Sequence, residues 1–184
     1  MRFVLVGDDF PAERTLKLLL DFDQAEISAV YTSLNTERPT KLQSMAEKLD
    51  IPVFAAKQLK KAAGSEQFAH QPFDWLININ STVIIPNEIL ELPTAGALNM
   101  HPGILPAYAG LHTHQWAIRN GETEFGATIH YMEAKVDVGD VVAQRTFLIA
   151  PEDTGMSLFL KCIKAGTQSM REVIQKIMSG DVLP

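Results

Sequence analysis

Apolar and polar positions along the chain alternate in blocks that predict short buried strands separated by amphipathic helices. The first half predicts strands at 2–7, 26–32, 52–54 and 75–79, with helices near 11–20, 41–49 and 57–68. Strands and helices that follow one another in this order favour an α/β fold, a mostly parallel twisted sheet with helices on both faces.

The second half has a different pattern. It predicts a short helix at 86–90, a strand at 95–100, a helix at 111–120, strands at 125–132 and 141–149, and a long helix that Asp153 or Thr154 caps and that runs to about 178. No helical pattern separates the last two strands, so we expect them to be antiparallel neighbours.

Candidate chemistry begins at the end of the 95–100 strand. Asn99 and His101 are two residues apart, so an extended chain points both side chains the same way. Pro102, Gly103 and Pro106 then end the regular structure, and strand ends of α/β sheets are common ligand sites. Taken alone, the pair fits a capped Asn and a structural His equally well.

Asp137 supplies a third polar group. It lies in a turn ended by Gly139, between the two strands predicted to be antiparallel. An amide, an imidazole and a carboxylate together provide an oxyanion donor, a proton carrier and a group that sets the charge of the imidazole.

These segments resemble a known family. The run 99–106 reads Asn-Met-His-Pro-Gly-Ile-Leu-Pro, and Gly110 and the run Asp-Val-Gly-Asp at 137–140 follow it. This is similar to the signature of the folate-dependent formyltransferases, and the resemblance extends from about Arg2 to Ala165. Gly103 departs from the family, which more often has Ser there.

The resemblance implies a Rossmann-like formyltransferase fold and a reaction that moves a formyl group from 10-formyltetrahydrofolate to a primary amine. It implies Asn99, His101 and Asp137 as catalytic residues. We expect Asn99 and a protonated His101 to stabilise the charge that develops on the formyl oxygen, and Asp137 to raise the pKa of His101 and to help move the proton. It also implies that the pterin of the folate is held by two stretches of chain, which are Val83, Ile84 and Ile85, and Ala134, Lys135 and Val136.

Composition limits the kinds of molecule that this chain is expected to bind. The formal net charge is −6, and the chain has no cluster of basic residues beyond Lys60 and Lys61, which argues against a nucleic-acid acceptor. The single cysteine, Cys162, fits a reducing compartment, and no apolar run could span a membrane, so we expect a cytoplasmic protein. His112 and His114 have the wrong spacing for a helical metal site, so no metal is expected, and His70 and His130 are predicted to be structural.

The acceptor is less constrained. Asp8 and Asp9 follow Gly7 and should repel a phosphate at the end of the first strand. An amino acid, free or tethered to a carrier protein of nonribosomal peptide synthesis, or an amino sugar fits better, and the run 105–113 resembles formyltransferases of secondary metabolism. A formyltetrahydrofolate hydrolase and a non-catalytic folate- or nucleotide-binding module are the alternatives.

The expected domain organisation is simple. We expect one catalytic domain over 1–184, which is either a compact enzyme or one domain of a longer protein. The sequence sets no oligomeric state.

Overall fold

The computed structural model describes residues 1–35, 37–60, 68 and 72–184. Contacts between Cα atoms divide the chain into two compact units, Met1–Asn99 and Met100–Pro184. Each unit is described by itself below. The predicted roles of Lys61 and His70 lie outside the described residues.

The first unit is built on parallel strands. These are β1 (Arg2–Gly7), β2 (Glu26–Thr32), β3 (Val53–Ala55) and β4 (Trp75–Ile79). Strand β1 pairs with both β2 and β4, and β2 pairs with β3. The apolar run of β1 is completely buried, which is typical of a parallel strand covered on both faces.

Helices connect these strands. They are α1 (Asp9–Leu20), α2 (Lys41–Lys48), a 3-10 helix (Ala56–Lys60) and α3 (Asn87–Leu90). Thr40 caps α2, since its hydroxyl oxygen accepts the Gln43 N–H at 3.1 Å. The helix predicted at 57–68 begins as the 3-10 helix, and residues 61–67 lie outside the described part.

Strand β5 (Gly96–His101) begins in the first unit, and its last two residues belong to the second. The second unit continues with α4 (Thr113–Arg119), β6 (Glu124–Tyr131), β7 (Val141–Leu148) and α5 (Gly155–Ser179). Strands β6 and β7 are antiparallel, as the sequence predicts. Thr154 caps α5 in a reciprocal capping box with Ser157.

Close contacts hold α5 against its neighbours. The Cys162 thiol donates to the carbonyl oxygen of Gly126 on β6 at 3.3 Å. A Cβ atom on Gly166 would lie 2.4 Å from the Met100 sulfur, so a larger residue at 166 requires the Met100 side chain to move or to be smaller.

The predicted α/β fold, mostly parallel with an antiparallel pair in the C-terminal half, is confirmed. Across the described residues, no helix combines the length and the apolar character needed to cross a bilayer.

Candidate functional site

His101 ends β5 and is almost fully buried. Its Nε2 atom lies 2.7 Å from the carbonyl oxygen of Tyr108, which can only accept a hydrogen bond. The Nε2 atom therefore carries the ring proton in the neutral imidazole, and Nδ1 is the nitrogen that remains to bind a proton.

The Asp137 carboxylate lies between two imidazoles. Its Oδ2 is 3.5 Å from Nδ1 of His101 and accepts the Gly110 N–H at 2.8 Å, and its Oδ1 is 3.6 Å from Nε2 of His130. The structure thus brings together the predicted pair His101 and Asp137. It adds His130, which we had predicted to be structural.

The turn that carries Asp137 is tight. Asp137 has a positive φ of 57°, a conformation that Asp and Asn tolerate better than most residues. A Cβ atom on Gly139 would lie 2.0 Å from the carbonyl oxygen of Tyr131, so this position requires glycine. The backbone conformation of the turn therefore helps to determine the position of the Asp137 carboxylate.

The two partners have pKa values that favour a neutral imidazole beside a carboxylate. Burial lowers the pKa of His101 below its usual value, although the Asp137 charge and the Tyr108 carbonyl act in the opposite direction. Burial would raise the pKa of Asp137, but the approach of His130 and the Gly110 N–H bring it below the usual range. This corrects our expectation of a resting His101 that Asp137 keeps protonated.

The loop after His101 is fixed by one buried hydroxyl. Thr128 on β6 donates to the Gly103 carbonyl oxygen at 2.7 Å and accepts the Leu105 N–H at 3.2 Å and the Gln144 amide at 2.9 Å. The Thr113 hydroxyl also donates to the carbonyl oxygen of Pro102. The peptide bond between Leu105 and Pro106 is cis. The sheet therefore holds the loop whose Tyr108 carbonyl contacts His101.

Asn99, the third predicted catalytic residue, belongs to the first unit and precedes His101 by two positions on β5. Its Oδ1 accepts a hydrogen bond from the side-chain amide of Asn78 on β4 at 2.9 Å. We did not predict Asn78, because a polar residue within an apolar run carries no motif.

The residues predicted to hold the pterin differ in exposure. Ile84 is 71% exposed, whereas Ile85 is only 5% exposed, so the side chain of Ile85 belongs to the core of the first unit. Val83 is half-buried, and its carbonyl oxygen accepts the Ser81 hydroxyl. In the second unit, Ala134, Lys135 and Val136 are all exposed.

Asp8, one of the two acids that we expected to repel a phosphate, is buried. It is 5% exposed and accepts four hydrogen bonds, from the N–H and hydroxyl of Thr82, the N–H of Ser33 and the hydroxyl of Thr32. Asp9, the other acid, is exposed. The Asp8 carboxylate, directly after β1, thus binds donor groups at the end of β2 and after β4.

Comparison with known proteins gives relatives that are longer than this chain. The chain is 30% identical to a methionyl-tRNA formyltransferase of Myxococcus xanthus, over all of this chain and 60% of that protein. It is 33% identical to the methionyl-tRNA formyltransferase of Listeria innocua, over 78% of this chain and 46% of that one. The chain therefore spans about half the length of these relatives.

Solved structures share the fold. A phosphoribosylglycinamide formyltransferase of Anaplasma phagocytophilum has a TM-score of 0.83 at 23% identity, and the match covers 97% of this chain and 87% of that one. A sugar N-formyltransferase of a Shewanella species has a TM-score of 0.77 at 17% identity, and the match covers 100% of this chain and 72% of that one. The profile of the family described as "Formyl transferase" matches residues 15–174, and the chain belongs to this family.

Proposed function

We propose that this chain transfers a formyl group from 10-formyltetrahydrofolate to the primary amine of a small acceptor. The observation that carries the proposal is the buried pair of His101 and Asp137, in which one ring nitrogen is bound by the Tyr108 carbonyl and the other faces a carboxylate. Membership of the formyl transferase family supports the same reaction.

The bound folate supplies the formyl group, and the chain supplies charge stabilisation and proton transfer. The side-chain amide of Asn99 donates to the formyl oxygen as negative charge develops on it. Nδ1 of His101 accepts a proton from the attacking amine and returns it to the leaving nitrogen. Ionised Asp137 stabilises the imidazolium that exists between these two transfers.

This assignment makes His101 a proton carrier that is neutral at rest. Its lowered pKa keeps the Nδ1 lone pair available at neutral pH. The positive charge on His101 then forms only during the reaction, when Nδ1 takes up the proton of the amine, and the Asp137 carboxylate already lies beside it. A ring that was already protonated could not accept the proton of the amine.

We propose that Val83 and Ile84 in the first unit, with Ala134, Lys135 and Val136 in the second, contact the folate. The exposure of Ile84 and Val136, at 71% and 55%, supports this, because apolar side chains in water gain stability when a flat ring covers them. Ile85 contributes through its backbone, since its side chain is buried.

For the acceptor we propose a primary amine without a phosphate, either an amino acid, free or carrier-tethered as in nonribosomal peptide synthesis, or an amino sugar. Asp8 supports this choice, because its own carboxylate takes the donors that a phosphate would use. The net charge of −6 supports a small molecule over a nucleic acid.

Residues 1–184 form the catalytic domain in this proposal. The buried Cys162 thiol, whose pKa burial raises to about 12, is consistent with a cytoplasmic location, which we also propose.

The test is consumption of 10-formyltetrahydrofolate with a panel of amines that pairs each amino sugar with its phosphate ester and each amino acid with its carrier-bound form. Formylation of a phosphate-free amine is expected. Consumption without any amine would indicate a hydrolase instead. Folate binding without consumption would indicate a non-catalytic module. Preference for the phosphate ester would overturn the acceptor class alone.

A further inference from the structure

Asn78 is a polar residue in a strand that is otherwise apolar. Its neighbours in β4, Leu76, Ile77 and Ile79, are completely buried. An amide within such a strand is costly unless its polar atoms are hydrogen-bonded. A reason for its presence should therefore be found in the bonds that it makes.

Asn78 uses only its donor end. Its Nδ2 donates to Oδ1 of Asn99 at 2.9 Å, whereas its own buried Oδ1 has no hydrogen-bond partner among the described residues. Leaving a buried acceptor without a hydrogen bond is destabilising, so an amide with a purely structural role would be expected to use both its donor and its acceptor. The bond that Asn78 donates to Asn99 is therefore the contact that accounts for an amide at this position.

That bond fixes which way the Asn99 amide faces. The two ends of an Asn side chain have similar shapes but opposite hydrogen-bonding character, and only neighbouring groups decide the orientation. Because Asn78 holds the oxygen of Asn99, the nitrogen of Asn99 lies on the side away from Asn78. A flipped Asn99 would present an acceptor oxygen to a developing negative charge.

We propose that Asn78 is a positioning residue that orients the Asn99 amide as the hydrogen-bond donor to the formyl oxygen. This inference rests on the proposed function and extends it to a residue that makes no contact with the reacting atoms. Asn78 acts through Asn99, so its effect should vanish when Asn99 is removed.

Two substitutions separate orientation from stability. Asn78→Ala removes the donor, and Asn78→Asp replaces it with a carboxylate that attracts the nitrogen of Asn99 and so favours the flipped amide. We expect kcat to fall on the order of tenfold in Asn78→Ala and a hundredfold in Asn78→Asp, with KM for the folate within about twofold. Asn87→Ala, which removes an exposed amide bonded to Glu91, is the control and should retain full kcat.

A double-mutant cycle identifies the route of the effect. In an Asn99→Ala background, Asn78→Asp should lower kcat by less than about twofold, because the group that it misorients is absent. A further large loss in that background would show that Asn78 acts on the substrate directly, which overturns the proposal. Equal kcat for Asn78→Ala and Asn78→Asp at equal melting temperatures would also overturn it.

A readout independent of turnover keeps this inference separate from the proposed function. The side-chain amide protons of Asn78 should shift upfield in the NMR spectrum when Asn99→Ala removes their acceptor. If the wild-type protein transfers no formyl group but the shift is seen, the proposed function fails and the contact stands. If no shift is seen, the orientation by Asn78 is wrong whatever the protein catalyses.

Discussion

Nε2 of His101 lies 2.7 Å from the carbonyl oxygen of Tyr108, so the loop after β5 determines which nitrogen of the imidazole carries the proton. The other nitrogen, Nδ1, lies on the side of Asp137. The Tyr108 carbonyl therefore determines the tautomer of the neutral ring, and the Asp137 carboxylate stabilises the ring when it is positively charged.

Removal of the imidazole should abolish turnover without abolishing binding. We expect His101→Ala to lower kcat by on the order of a hundredfold or more, because the ring acts on protons and charge that appear during the reaction. Folate affinity measured by calorimetry should change little. Near-normal turnover in a folded His101→Ala variant would exclude this role.

Asp137→Asn tests charge at constant shape. Asn tolerates the positive φ at this position, so the melting temperature at neutral pH should fall by only a few degrees while kcat falls by about two orders of magnitude. The amide cannot stabilise an imidazolium at His101. If both rate and melting temperature persist, Asp137 is only a turn residue and the catalytic pair is wrong.

The rate should depend on pH through His101. Because its pKa is lowered, kcat should stay level as the pH falls to about 6.5, the usual pKa of histidine, and should decline only in more acidic solution. The free energy of unfolding should also decrease below that pH, since the unfolded chain binds a proton that buried His101 resists. A rate that rises as the solution is acidified from pH 7 would show that the protonated ring is the active form.

Two neighbouring isoleucines provide a matched pair for the folate site. Ile84→Asp places a charge on an exposed side chain and should weaken folate binding by on the order of tenfold, with little change in melting temperature. Ile85→Asp buries an unpaired charge and should cost roughly 3–5 kcal/mol of stability. If Ile84→Asp leaves the affinity unchanged, the folate lies elsewhere.

Gly103 is expected to tolerate no side chain. A Cβ atom there would lie 2.7 Å from the Tyr108 carbonyl oxygen and 2.8 Å from Nε2 of His101. Gly103→Ala should therefore displace the loop from the imidazole and lower kcat by about tenfold or more. Gly121→Ala, at a position with open space and a positive φ, is the control for backbone strain and should affect stability alone.

Local patterns were sufficient to predict most elements. The apolar runs located β1, β2 and β4 with the bounds that the structure has, and Thr154 was one of the two caps proposed for α5. These features depend on residues close in sequence. The pairing of His101 with Asp137 was expected from the resemblance of two short motifs to a known family, whereas hydrophobic alternation alone gave no distance between the two residues.

His130, Asn78 and Asp8 could not be understood from sequence. His130 follows an irregularity in the register of β6 at Ile129, and such irregularities redirect side chains in ways that alternation does not predict. The hydrogen-bond partner of Asn78 is Asn99 on β5, which lies 21 residues further along the chain. Asp8, which follows β1, is buried because groups at the end of β2 and after β4 converge on it, and its charge alone would favour an exposed position.

The contact between Gly166 and Met100 links the long helix to the strand segment between Asn99 and His101. A larger side chain at either position therefore requires a smaller side chain at the other. During divergence, the two positions should therefore change as size-matched pairs, and a library randomised at both should yield folded proteins chiefly where a larger residue at 166 meets a smaller one at 100.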